Sequence, residues 1–271
     1  MFKIPGNEPA FVDLLQYMDT KAREARTNDL GSLRYDAMSY LVPYEGFSAP
    51  SPSDRDKTQR GFWNVVTGRM LCPALTLAEF DADPAAFCCE VRSGEIEITH
   101  KDYPSFLYDL DEEASEVDGL LKGPFLVACF RHVFTGGRTA AKRGDGPSSG
   151  KATIAQINMM SRVHPRHIAY IATLARFLLS SQHSWDANDH QFEGRAFYYE
   201  ILGLFDGEGM PMSHKKWITD TLAWWDLRDR LAAVFSAMDD TEARMFVASQ
   251  NPRTVDNNAQ GEDREDANSD A

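Results

Sequence analysis

The side chains in this sequence best suited to chemistry are its imidazoles. His164 and His167 stand three residues apart, and His183 and His190 follow in HSWDANDH with Asp186 and Asp189 between them. Imidazoles one helical turn apart can share a metal, and nearby carboxylates can complete its coordination. The spacing is weakly specific, because blander roles account for both leading residues. His167 lies on an apolar helical stripe, where a hydrogen-bonded core histidine is commoner than a ligand, and His164 directly precedes Pro165 at a helix start. No metal, cofactor or catalytic residue is therefore assigned, and a metal-dependent enzyme using His164, His167, His183, His190 and Asp186 stands as an alternative.

Other motifs fall short for stated reasons. The loop TGGRTAAKRGDGPSSGK invites comparison with a phosphate-binding P-loop, which needs Gly, four residues, Gly, Lys and then Ser or Thr. Asp145 occupies the first glycine position and Ala152 follows Lys151, so a carboxylate replaces a cradle amide and the metal-binding hydroxyl is missing. The run DLDEEASEVD lacks the internal glycine around which hard-cation loops turn. Cys72, Cys88, Cys89 and Cys129 show no CxxC spacing and read as reduced, mostly buried thiols. No HExxH is present.

Charge is the strongest global signal. The 271 residues carry a formal net charge of -13, which opposes wrapping of nucleic acid over the whole surface, so any such contact is local. From Glu79 to Asp118 there are 13 acidic residues against Arg92 and Lys101 alone. From Gly119 to Trp185 the balance inverts: Asp145 is the one acid against nine bases, Lys122, Arg131, Arg138, Lys142, Arg143, Lys151, Arg162, Arg166 and Arg176. Two readings follow. The acidic and basic halves dock on each other, or the basic segment meets an anionic partner. For the second reading the anion-binding candidates are Arg131, Arg138, Lys142, Arg143, Lys151, Arg162 and Arg166, as phosphate or carboxylate contacts without base reading.

The elements that must position these residues are helical. Asn7 can cap a helix with Pro9 in its first turn, and a second pattern from Leu30 to Leu41 stops before Pro43, which makes residues 1–44 a helical pair. Residues 45–59 are rich in Pro, Ser, Gly and Asp and read as a linker or surface loop. RGFWNVVTGRMLCP is an apolar plug, and GEIEIT alternates as a short strand would. GPFLVACFRHVF is a helix with Pro124 in its first turn. Ile154, Ile157 and Met160 mark another helix ending near Arg162. Then comes the central helix, about 165–181, with Ile168, Ile171, Leu174, Ala175 and Leu178 on one side and Tyr170 and Phe177 on the other. A helix apolar on both sides is buried. FEGRAFYYEILGLF is a further helix, and Ser213 can cap a last one to about Met238. The fold class is mainly α: an irregular multi-helix globular domain over 60–250 with a buried central helix and little or no β. Residues 251–271 read as a disordered acidic tail.

Several blocks in order carry a likeness beyond composition: RGFWNVVTGRMLCP, SFLYDLDEE, GLLKGPFLVACFRHVFTGG, HIAYIATLARFLLSS followed by Trp185, and FYYEIL. Together they resemble an uncharacterised family of fungal domains present in many copies in mushroom-forming basidiomycetes, over roughly residues 57–235. Where many relatives have threonine or a carboxylate ahead of the proline, this chain has His164. The resemblance implies a mainly helical intracellular protein and transfers no activity and no functional residue. With no signal peptide and no apolar run of about 20 residues, the expectation is an intracellular, cytoplasmic or nuclear, non-enzymatic binding protein. Its basic segment contacts nucleic acid or an acidic protein, and no membrane. A structural or oligomerising protein with self-complementary halves is the remaining alternative, and the oligomeric state is left open.

Overall fold

A computed structural model describes residues 8–41, 52–110, 119–137, 154–185, 188–189 and 192–237. Arg138, Lys142, Arg143 and Lys151, together with Asp186, His190 and the tail 251–271, lie outside the described residues. The domain is mainly α-helical. The strand among the described residues is a two-residue antiparallel pair, β1 (Asn188–Asp189) with β2 (Phe192–Glu193), in which Asn188 faces Glu193 and Asp189 faces Phe192.

The chain opens with α1 (Glu8–Asp36), 29 residues long, running directly into a 3-10 turn over Ala37–Tyr40. Where the apolar spacing predicts a helical pair, the backbone is continuous, because no proline or glycine turn interrupts it before Pro43. Leu33, Ala37, Met38 and Tyr40 enter the main core. Short pieces follow: α2 (Val65–Leu71), α3 (Leu77–Ala82) and α4 (Pro84–Ser93). Local chemistry explains their ends. The Asn64 side chain accepts from the Val66 and Thr67 amides, Asp83 accepts from Ala86 with Pro84 at the first helical position, and Gly94 closes α4 at a φ of +85°. These helices enclose a small second core of Cys72, Phe80, Phe87, Cys88, Val91 and Ile98. An ion pair locks it from outside, the Arg69 guanidinium donating to both Asp81 oxygens at 2.7 and 2.8 Å.

Two local readings need correction. GEIEIT forms no strand: Ile98 is buried and Glu97 exposed as alternation requires, yet no neighbouring strand pairs with them among the described residues. Trp63 is not part of the apolar plug. It is 61% exposed, with the Arg92 guanidinium 4.7 Å from its ring centre.

The main core is built on α5 (Pro124–Thr135) and α7 (Pro165–Leu179), with α6 (Ile154–Ile157) between them in sequence. The predicted helix to Arg162 stops early, since Met159 adopts a φ of +49° and is exposed. In α7, Ile168, Ala169, Ile171, Ala172, Leu174 and Ala175 are all completely buried. Each large aliphatic side chain so placed contributes roughly 1.5–3 kcal/mol. The helix is the structural centre, as its two-sided apolar pattern requires.

Both ends of α7 are tied down by distant or special residues. At its C-terminal end Lys57 donates to the Phe177 carbonyl at 2.7 Å, and the fully buried Arg60 donates to the Leu178 carbonyl at 2.8 Å while holding Ser53 and Asp54 carbonyls. Two cations thus sit on last-turn carbonyls, where the helix dipole is negative. α8 (Gly194–Gly203) packs along α7, and α9 (Met212–Ala237) brings Trp217 and Trp225 to the core. The Trp225 indole donates to the Leu121 carbonyl at 3.1 Å, and Asp226 accepts the Val163 amide at 2.6 Å.

Candidate functional site

The bases of the charge-inverted half divide by what surrounds them. Lys122 is half-buried with its ammonium 5.8 Å from the Trp224 ring, and Arg176 is buried with its guanidinium 3.0 Å from the Phe192 ring centre. Cations over aromatic faces inside a fold are structural. Arg176 also lines a small cleft with Thr173, Phe177, Ser180, Gln182, Trp185, Phe192 and Gly194. Arg131 is half-buried on α5. Arg162 and Arg166 are exposed, and they flank the amino end of α7: Arg162 in the approach and Arg166 in the first turn. Arg166 is close enough to Tyr198 on α8 for its charge to act on that phenol.

Between the two arginines the histidines serve the helix. His164 occupies the N-cap in extended conformation, and its amide donates to Nδ1 of His167 at 3.2 Å. The two rings meet edge to face at 5.4 Å, and His167 leans on Phe134 at 5.3 Å. Burial, reinforced by the positive potential of His164, holds the His167 imidazole below its ordinary range. Nδ1 is therefore committed as an acceptor within the cap. Among the described residues no three His, Cys, Asp or Glu side chains converge as a metal site. The site at this end of α7 is an exposed pair of guanidinium groups beside the positive end of a 15-residue helix, a geometry for attracting carboxylate or phosphate.

A second constellation went unread in the sequence. Where α1 crosses α5, the Ser32 hydroxyl lies 2.6 Å from Nε2 of His132, and the Tyr40 hydroxyl lies 2.7 Å from Nδ1. The Asp36 carboxylate stands 3.8 Å from Nδ1. One turn earlier on α1, Asp29 accepts a 2.7 Å hydrogen bond from Tyr170 of the central helix. Burial depresses the His132 pKa, with Asp36 and Asp29 opposing it, and burial raises the Asp29 carboxyl against the lowering effect of Tyr170. A serine beside an imidazole suggests a nucleophile and base. In this case the serine sits inside a helix, so the amides around it are occupied by helical hydrogen bonds and supply no oxyanion site. The cluster is a polar seam fastening α1 to the core. Its members are up to 141 residues apart in sequence, so no local spacing could have signalled it.

Fold and site thus define an all-helical domain, organised on one buried helix, that presents cations at that helix's amino end. The chain belongs to a family of unknown function, DUF6698, whose model matches residues 20–228. The match begins inside α1, so the body-bound part of that helix and the polar seam belong to the family domain. No curated protein and no solved structure matches the chain.

Proposed function

We propose that this protein is a non-enzymatic intracellular binding protein whose basic segment, from Arg131 to Arg166, contacts an anionic partner, with nucleic acid the first choice and an acidic protein the second. The observation that carries the reading is the charge inversion: in a chain of net charge -13, residues 119–185 hold one acid and nine bases. Folding consumes Lys122 and Arg176 in aromatic contacts, which leaves Arg162 and Arg166 exposed beside a helix dipole of the same sign. Arg138, Lys142, Arg143 and Lys151 join them as sequence candidates. The acidic tail 251–271 is positioned in sequence to compete for the same cations. On the likeness of its ordered blocks we also read the chain as fungal, from the mushroom-forming basidiomycetes. No helix of the described residues is long and apolar enough to cross a membrane.

The test is binding of single- and double-stranded oligonucleotides, followed by fluorescence anisotropy at about 50 and 200 mM salt. Each duplex phosphate contact contributes a slope of roughly 0.9 in log affinity against log salt. Replacing both Arg162 and Arg166 with alanine is expected to flatten that slope by nearly two. Absence of salt-sensitive binding, even after removal of residues 251–271, refutes the nucleic-acid reading.

A further inference from the structure

Among the described residues, the first half of α1 is an arm without cover. Every residue from Phe11 to Ala25 is exposed, and contact with the body begins at Arg26, whose guanidinium lies 5.0 Å from the Trp185 ring centre, followed by Asp29 and Leu30. The arm carries Phe11, Val12, Leu14, Leu15, Tyr17 and Met18, with Phe11 at 43% and Met18 at 58% exposure. A lone helix of this length is marginal in water, and a contiguous apolar face this large marks an interaction surface.

We propose that the arm pairs with the same arm of a second copy of this chain, antiparallel and centred between Leu15 and Met18. Three features of α1 select that occupant. The first is charge: residues 8–19 carry Glu8, Asp13 and Asp19 and no base, while residues 20–28 carry Lys21, Arg23 and Arg26 against Glu24. Antiparallel pairing sets the acidic front of each arm on the basic back of the other. Parallel pairing would stack like on like.

The second feature is size. Phe11, Leu15, Met18, Ala22 and Ala25 alternate in steps of four and three, the spacing of a helix seam. With the two-fold axis between Leu15 and Met18, Phe11 meets the partner's Ala22 and Leu15 meets the partner's Met18. The bulkiest seam side chain, Phe11, thus faces a small one, as a close-packed interface requires. The third feature is length. The helix starts at Glu8, which falls opposite the partner's Ala25, one residue short of the body contact at Arg26. Each arm is long enough to cover the other and too short to collide with its body. The interface is isologous, as a two-fold dimer demands.

Two helices of this length bury less than a standard interface, so the dimer is reversible on dilution. Sedimentation velocity of the full chain over a concentration series is expected to show monomer and dimer in exchange. Met18→Lys should weaken association by roughly tenfold or more while leaving the thermal melt of the body unchanged. In a Cys89→Ser background, Met18→Cys should oxidise to a covalent dimer. Phe11→Cys should not, because its two copies lie about 16 Å apart along the axis. A monomer at all concentrations, a dimer indifferent to Met18→Lys, or self-cross-linking of Phe11→Cys overturns the proposal. So does a full chain that dimerises only after residues 238–271 are deleted, which would give the face to the chain's own tail.

Discussion

Tyr40→Phe isolates the polar seam with the loss of a single oxygen. The Tyr40 ring is buried, its hydroxyl is 2.7 Å from Nδ1 of His132, and His132 is itself only 5% exposed. Removing the hydroxyl leaves packing intact and strands a buried ring nitrogen. The Asp36 carboxylate, at 3.8 Å, is beyond hydrogen-bonding distance. A buried polar group left without its partner costs about 1–2 kcal/mol. In a domain of this size that corresponds to a fall in melting temperature of about 2–8 °C. Differential scanning fluorimetry near neutral pH reads it directly, with Tyr35→Phe as the control because Tyr35 is exposed on the same helix. If Tyr40→Phe melts within about 1 °C of the parent chain, the seam does not fasten α1 and His132 is not its anchor.

Gly123→Ala is expected to be severely destabilising, since a Cβ there would sit 2.0 Å from the Phe106 carbonyl oxygen at the start of α5; circular dichroism melts should show loss of the cooperative transition or a drop well beyond that of Tyr40→Phe. Stability should fall as pH drops. His132 and His167 have folded pKa values below their ordinary 6.5, so below about that pH the unfolded chain takes up protons that the fold refuses. The loss therefore begins near pH 6.5 and continues down to the folded values. Asp29, raised by burial above 3.8, binds its proton more readily in the fold and opposes this in acid. His167→Gln, compared with the parent chain between pH 7.5 and 5.5, should show the shallower decline.

Legibility followed the range of the signal. Pro124 and Pro165 at first helical positions act on neighbours within four residues and mark helix starts correctly. The two-sided apolar pattern of 168–178 required burial, and those residues form the core. Strand-like alternation in GEIEIT failed because a strand needs a second strand, which local pattern does not specify. The apolar Trp63 faces solvent because Arg92, 29 positions later, covers its ring.

For the site, the basic segment was legible as a count of charges, a property that needs no coordinates. Which charges remain for a partner was not. Arg176 and Arg166 are equivalent in sequence, yet one stacks on Phe192 inside the fold and the other faces solvent. Likewise, Lys57 comes from a stretch read as linker or loop and Arg60 from the start of the apolar plug, yet both end up on α7 carbonyls about 120 residues away, at 2.7 and 2.8 Å. Ser32 and His132 meet across 100 residues. Composition, caps and periodicity determined helicity, the central helix and the charge layout, because those depend on near neighbours. The tertiary structure decided which cations are exposed and which polar groups pair, because burial depends on residues that only folding brings together.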